Sequence, residues 1–353
     1  MIENTCQYHE HYFLGNPNFG KQTVAIIYKN WDENYDMVNQ IVLKIVLPKL
    51  PECVKYKTNC IYDLLKSIEL EIGRHIFLNY TSDQLKKLDI IKRGNGPKSK
   101  LLDRMGQNNQ PQPSHWDSNG FVIFYPINIT DIFGQSKIKI EKNDQNSKQI
   151  SDCQLRGIKI SELHFSDVRF KIELAELSDI VENQTDDHFD IQKQLKELSI
   201  LDCCILVRYQ KTKPKTYIGT KSVTEQKIAL WKIDQQTCSV NNKPYQIKIP
   251  MDWYSGIYIG KQCFIRRLIF QCNHSDKLTN YLWQINGYDL SNVREKILDQ
   301  NKHITNIDSL QLTYGQNITL DLKFNGPVDQ LIIDAFFEIE TKCTYGNGII
   351  LDS

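Results

Sequence analysis

The chain has almost no surplus charge: 43 basic against 42 acidic side chains leave a formal net charge of +1. It therefore lacks the one-sided field with which strong nucleic-acid or anionic-membrane binders attract their partners, and no specific nucleic-acid partner is expected. It has no apolar run of the ~20 residues that a membrane-spanning helix needs. Its first residues, Met1-Ile-Glu-Asn-Thr-Cys-Gln-Tyr-His-Glu-His11, carry neither the basic flank nor the apolar segment of a secretory signal, so nothing marks it for export. It also lacks a Gly-x-Ser-x-Gly elbow, a Gly-Lys-Ser/Thr phosphate loop and any local nucleophile signature around a Cys or His. No catalytic, cofactor-binding or metal-ligating set follows from motif spacing. The expectation is a protein that is not an enzyme and uses no cofactor.

What is present is strand. Ser67-Ile-Glu-Leu-Glu-Ile-Gly73 alternates Ile68, Leu70 and Ile72 with Glu69 and Glu71, the period of a half-buried strand, and Gly73 supplies a bend. Similar signals run over Thr23–Lys29, Ile41–Leu47, Phe121–Tyr125, Lys137–Glu141, Gly157–Leu163, Val168–Leu174 and Ser199–Arg208. They resume at Lys227–Ile233, Tyr245–Ile249, Cys263–Phe270, Tyr281–Ile285, Asn317–Phe324 and Gln330–Glu340. Helical signals are few: Ser82–Leu88, Asp190–Leu198, and Ser291–Asp299 with Ser291 as N-cap. Short strands separated by turns, without alternating helices, predict antiparallel sandwiches rather than a parallel sheet.

At 353 residues the chain exceeds the roughly 250 to 300 at which a single core stops growing. Lys211-Thr-Lys-Pro-Lys215 breaks the strand series into two lengths, each suited to one sandwich. Arg93–Asn119, with Pro97, Pro111 and Pro113, reads as a long surface loop. The ten cysteines are irregularly spaced, and Cys203, Cys204 and Cys263 fall inside apolar strand patterns. They read as buried reduced thiols rather than a disulfide framework.

Several short motifs then resemble, in collinear order, one family. Tyr12-Phe-Leu-Gly-Asn-Pro17 is similar to its Tyr-Leu-Thr-Gly-Asn-Pro opening, and Lys29-Asn-Trp-Asp32 with Val46-Leu-Pro-Lys-Leu-Pro51 to its first turn and strand. Ser67–Gly73, with Arg74 where a second Gly is usual, resembles its Glu-x-Glu-Ile-Gly-Gly segment. Phe124-Tyr-Pro126, Ile160–Val168, Phe264–Phe270, Trp283-Gln-Ile-Asn-Gly-Tyr-Asp289 and Tyr345–Ile350 follow in order. The family is the major capsid proteins of nucleocytoplasmic large DNA viruses.

The resemblance implies an all-β chain of two tandem eight-stranded antiparallel jelly-roll sandwiches, a double jelly roll, with few short helices. It divides the chain into an N-terminal arm over residues 1–20, shaped by Gly15 and Pro17, a first jelly roll over 21–210 and a second over 216–353. It implies a homotrimer that tiles an icosahedral virion shell, assembled in the host cytoplasm. The implied partners are its own copies, neighbouring capsomers, minor capsid proteins and an internal viral membrane. A minor capsid or scaffold role on the same fold, or a carbohydrate- or receptor-binding β-sandwich, remains open beside it.

Other features have a bland and a sharp reading. His9-Glu-His11 has the spacing with which a cupin barrel holds a metal, but no Gly-rich strand precedes it and no acidic third ligand follows; an arm lying against a neighbouring subunit is the plainer reading. Lys92–Lys100 and Lys211–Lys215 read as solvated loops, without the aromatics of a base-stacking site. Sequons stand at Asn79, Asn128, Asn183, Asn273 and Asn317, frequent by chance in an Asn-rich chain. Trp231 and Trp283 fall in strands and read as core, which leaves Trp116 as the exposed candidate for a sugar platform.

Overall fold

The computed structural model describes residues 6–28, 35–51, 54–57, 60–73, 75–93, 116–117, 120–140, 156–160, 163, 166–183, 188–211, 222–239, 245–248, 263–289, 295–299, 302–312, 317–328, 330–346 and 349–351. The chain divides into two compact units, Met1–Val223 with Tyr345–Ile350, and Thr224–Thr344 with Leu351–Ser353.

The first unit contains β1 (Cys6–Leu14), β2 (Gln22–Ile27), β3 (Tyr35–Pro48), β4 (Val54–Tyr56), β5 (Leu65–Ile72), β6 (His75–Thr81), β7 (Trp116–Asp117), β8 (Gly120–Asn128), β9 (Phe133–Ile140), β10 (Ile158–Lys159), β11 (Val168–Leu174), β12 (Val181–Asn183) and β13 (Asp202–Lys211). Helices are short, at Cys60–Leu64, Ser82–Arg93, Ile129–Ile132 and His188–Glu197. The principal sheet runs β6-β5-β11-β2-β1-β13-β3-β8-β7, with antiparallel pairing throughout the described ladders. It curls at β1, whose residues 6–12 pair with β13 and whose residues 13–14 pair with β2. The alternation that predicted the strands also fills the core. Ile41, Leu43, Ile45 and Leu47 of β3, Ile205 and Val207 of β13, and Ile68, Leu70 and Ile72 of β5 are buried, while Val42, Lys44, Leu206, Glu69 and Glu71 between them are only half-buried.

The second unit contains most of β14 (Ser222–Ser239) and of β22 (Gln330–Gly346), from Thr224 to Thr344, with β15 (Tyr245–Lys248), β16 (Cys263–Cys272), β17 (Leu278–Ile285), β18 (Tyr288–Asp289), β19 (Glu295–Asp299), β20 (Lys302–Leu312) and β21 (Asn317–Phe324); of β23 (Ile349–Leu351), Ile349 and Ile350 belong to the first unit. Its sheets run β19-β20-β16-β22-β14 and β15-β21-β17-β18. Between them Phe270 meets Tyr281 edge-on at 4.9 Å and Trp283 at 6.1 Å, and Trp283 meets Phe337 at 6.1 Å. Each ring places a positive edge on a neighbour's negative face, which adds orientation to plain burial.

Three expectations are corrected. The segment expected as an arm forms β1 from Cys6 to Leu14, inside the sheet between β2 and β13. Its core-facing side is mostly polar, His9 and His11 with Phe13, so hydrophobic alternation does not announce it. The helix expected over Ser291–Asp299 is strand β19 from Glu295 onward, because a place beside β20 overrides a modest local propensity; residues 291–294 lie outside the described residues. The strand expected over Gly157–Leu163 is only Ile158–Lys159, opposite Val38 and Met37. In contrast, Gly73 does make the expected bend, with φ of 62°, and Gly287 turns β17 into β18 with φ of 82°.

Candidate assembly surface

Among the described residues no group of three or more His, Cys, Asp or Glu side chains is arranged to hold a metal ion. His9 and His11 project from one side of β1, but toward Tyr209: the His11 Nε2 lies 2.9 Å from the Tyr209 hydroxyl, and the His9 ring meets the Tyr209 ring edge-on at 5.4 Å. They are structural neighbours of a tyrosine rather than two ligands around a shared point.

The two outer faces of the first unit differ in chemistry. On the β5–β11 face, Lys171 binds Glu69 at 2.6 Å and also Glu71, while Arg169 binds Asp167 at 3.1 Å and lies 3.8 Å from Glu71. The paired carboxylates hold the Lys171 ammonium above its ordinary range. This is a polar face whose charges satisfy one another across strands.

The opposite face, on β1, β13, β3 and β8, is richer in apolar and aromatic groups. Strand register sets Tyr8 opposite Arg208, Glu10 opposite Leu206 and Tyr12 opposite Cys204, and continues through Gln40, Val42 and Lys44 to Asn128, Pro126 and Phe124. Three of the seven exposed large apolar or aromatic side chains among the described residues lie on this one side of β1: Tyr8 at 54%, Tyr12 at 64% and Leu14 at 59%. The Tyr8 hydroxyl donates to Gln40 at 3.1 Å and the Tyr12 hydroxyl to Glu10 at 2.8 Å, so both rings are held in place. Hydrogen bonding to Glu10 raises the Tyr12 hydroxyl above its ordinary value. Lys44 and Asp202 pair at 3.0 Å, which raises the Lys44 ammonium. Beneath them Cys204 is closed to solvent and pushed up to about 11, first by burial and then by Asp202. Fixed tyrosines around satisfied polar groups are the composition favoured where one protein surface meets another.

In the second unit a bulge between Ile265 and Arg267 turns two successive arginines outward. Arg266 binds Glu340 at 2.7 Å, and Arg267 grips Glu338 with its second nitrogen at 3.0 Å while its guanidinium lies 5.5 Å from the Trp231 ring centroid. Glu338 raises the already high Arg267 value. Trp231 and Trp283 are buried, as the strand patterns predicted. The turn Asn286-Gly287, with φ of 49° and 82°, holds up Tyr288, which is 80% exposed.

The remaining candidates separate. Trp116 belongs to β7, opposite Phe121, and its side chain lies outside the described residues, as do Trp31 and Trp253. Lys92 and Arg93 end a helix, and Lys211 ends β13 with its ammonium 5.9 Å from the Tyr35 ring centroid; the rest of both basic segments lies outside the described residues. Of the sequons, Asn79 is exposed on β6. Asn273 donates to the Gln330 carbonyl at 2.9 Å and accepts from the Ile332 amide at 3.0 Å, which occupies its side chain. The side chains of Asn128, Asn183 and Asn317 lie outside the described residues. Of the cysteines whose side chains are described, 6, 60, 203, 204 and 272 are free thiols, and all but Cys6 are buried. The tyrosine-rich face of β1 was missed at the sequence level; its signal is the Tyr8, Glu10, Tyr12, Leu14 side of an alternation whose other side is histidine.

No protein-family profile matches the chain, and no curated protein matches it in sequence. Among solved structures it is similar to the PBCV-1 virus capsid in a quasi-atomic model, with 12% identity, a TM-score of 0.59, and coverage of 98% of this chain and 96% of that one. It is similar to PBCV-1 VP54 fitted into a reconstruction of the virophage Sputnik, with 12% identity, a TM-score of 0.57, and coverage of 99% and 97%. The Faustovirus major capsid protein matches at 9% identity and a TM-score of 0.52, over 97% and 90%. Similarity over both whole chains at this identity is similarity of fold. The chain has the double jelly-roll fold of viral major capsid proteins.

Proposed function

We propose that this chain is a structural capsid protein of a large DNA virus, working as a rigid tile with no chemistry of its own. The observation that supports this most is the two-way, near-complete structural match to capsid proteins, which leaves no large part of either chain unaccounted for. Two tandem sandwiches offer two similar footprints, so three copies around a threefold axis make a pseudo-hexagonal block that packs against its own kind. A break near Lys211–Lys215 separates the two jelly rolls in this reading, with β1 joining residues 21–210 in the first body and 216–353 supplying the second. The site of action is the virion shell, formed in the host cytoplasm from neighbouring capsomers with minor capsid proteins, over an internal membrane. Each subunit contact is expected to bury at least the roughly 1,600 Å² of a standard specific interface.

The short turns of the second unit, such as the two-residue Asn286-Gly287 connection, favour a second reading as a minor shell or scaffold protein lacking tall surface projections. Electron microscopy of the purified full chain at high concentration separates the readings. Flat or curved hexagonal arrays support the shell tile, isolated blocks that join an array only with another capsid protein support the minor role, and monomers in both conditions overturn both.

A further inference from the structure

Arg208 lies on the outward side of β13, between Tyr8 of β1 and Gln40 of β3. The Tyr8 hydroxyl reaches across β13 to the Gln40 side-chain oxygen at 3.1 Å, and Arg208 between them is half-buried. Its Nε is closed to solvent and finds no hydrogen-bond partner among the described residues. A terminal nitrogen donates to the Cys6 thiol at 3.4 Å, a weak acceptor. No carboxylate among the described residues pairs with this guanidinium, whereas Arg169, Arg266 and Arg267 each have a glutamate beside them. Glu10, on the same side of β1, accepts from the Tyr12 hydroxyl at 2.8 Å instead.

A guanidinium presents its N–H donors in a planar fork, and withdrawing one from water without an anion is costly. The group that satisfies such a fork is a carboxylate, which accepts two parallel hydrogen bonds from it. The surroundings point to a protein as the bearer of that carboxylate. Leu206, Val42, Pro126 and Phe124 continue half-buried along the same side of the sheet, with Tyr12 exposed beside them, and a small anion would leave all of these in water. Charge favours a second copy of this chain as the occupant: with 43 basic and 42 acidic side chains, copies do not repel one another and each has acids to offer.

We propose, resting on the shell-tile reading, that Arg208 is a contact point between copies: an adjacent subunit presents a carboxylate to the Arg208 guanidinium while its apolar groups cover Leu206 and Val42. The bonded pair of Tyr8 and Gln40 flanks the guanidinium within each chain, and the second copy completes the site.

The test is sedimentation of the full chain at low and high salt, as wild type, Arg208→Gln and Arg169→Gln. Arg208→Gln should raise the concentration at which half of the chains are assembled by at least about thirtyfold, and its remaining assembly should respond less to salt. Arg169→Gln, which removes a cation already paired within its own chain, should assemble as wild type does. Arg208→Lys keeps the charge and supplies an amine, so carbodiimide coupling in a mixture of isotope-labelled and unlabelled chains identifies the facing carboxylate by peptide mass spectrometry. An amide joining position 208 to a carboxylate of the differently labelled chain supports the contact, and this readout decides should Arg208→Gln fail to fold. Assembly of Arg208→Gln at the wild-type concentration, or coupling confined to single chains, overturns the Arg208 contact and leaves the tile reading standing. A wild type that stays monomeric at every concentration overturns both.

Discussion

Gly157 approaches Val38 so closely that a Cβ at Gly157 would lie 2.2 Å from the Val38 carbonyl oxygen. The same glycine has φ of 132°, outside the range that L side chains readily adopt, and its amide donates to the Phe133 carbonyl at 3.2 Å. Gly157→Ala is therefore expected to cost about 1–3 kcal/mol from backbone strain, with the contact adding to it. Gly15→Ala, at φ of 90° with open space around it, should cost less. Urea unfolding of the two variants checks the order, and equal losses would contradict the close approach at Gly157.

The aromatic cluster of the second unit predicts a larger loss. Phe270 is fully buried between Tyr281 and Trp283, so Phe270→Ala removes both transfer energy and packing contacts, for about 3–5 kcal/mol. The readout is the midpoint of chemical unfolding followed by far-UV circular dichroism.

The ion pairs on the outer face of β11 should matter far less. Lys171 bridges Glu69 and Glu71 but retains a quarter of its side-chain exposure. Lys171→Met should change stability by no more than about 1 kcal/mol, and the difference should shrink in high salt. Because its ammonium is held above the ordinary value, any contribution is complete below about pH 10 and disappears as pH rises through the folded value. A large, salt-independent loss would mean that this face is buried in the functional assembly.

Thiol chemistry offers a cheap check of burial. Cys60 is pushed up to about 12 and Cys204 to about 11, in each case first by burial. Neither should be alkylated by iodoacetamide at pH 8 in the native chain, and both should react in denaturant; mass spectrometry of the labelled peptides reads this. Rapid native labelling of Cys204 would mean that the surface formed by Tyr12 and Lys44 is open.

The parts of the fold legible in the sequence are those where side-chain type and strand period agree. Ile68 to Ile72 and Val168 to Leu174 alternate cleanly because one side faces hydrocarbon and the other water. Gly73 was legible because its bend requires positive φ. β1 was not, since its inner side carries imidazoles that are held by Tyr209 and a backbone group rather than by apolar contact. β19 was not, since its strand state comes from pairing with β20. The tyrosine-bearing face escaped for a related reason. Nothing local distinguishes an exposed Tyr8 or Tyr12 from a core tyrosine such as Tyr209 until register assigns each to a side.

The central claim is that the chain is a tile whose sandwiches meet other copies, and sedimentation velocity of the purified full chain at micromolar concentration tests it most directly. The account predicts a species with the mass of three chains, reduced to monomer by a charged substitution such as Tyr12→Asp that leaves the circular dichroism unchanged. A folded wild-type monomer at every concentration, unaltered by adding other capsid proteins, would contradict it.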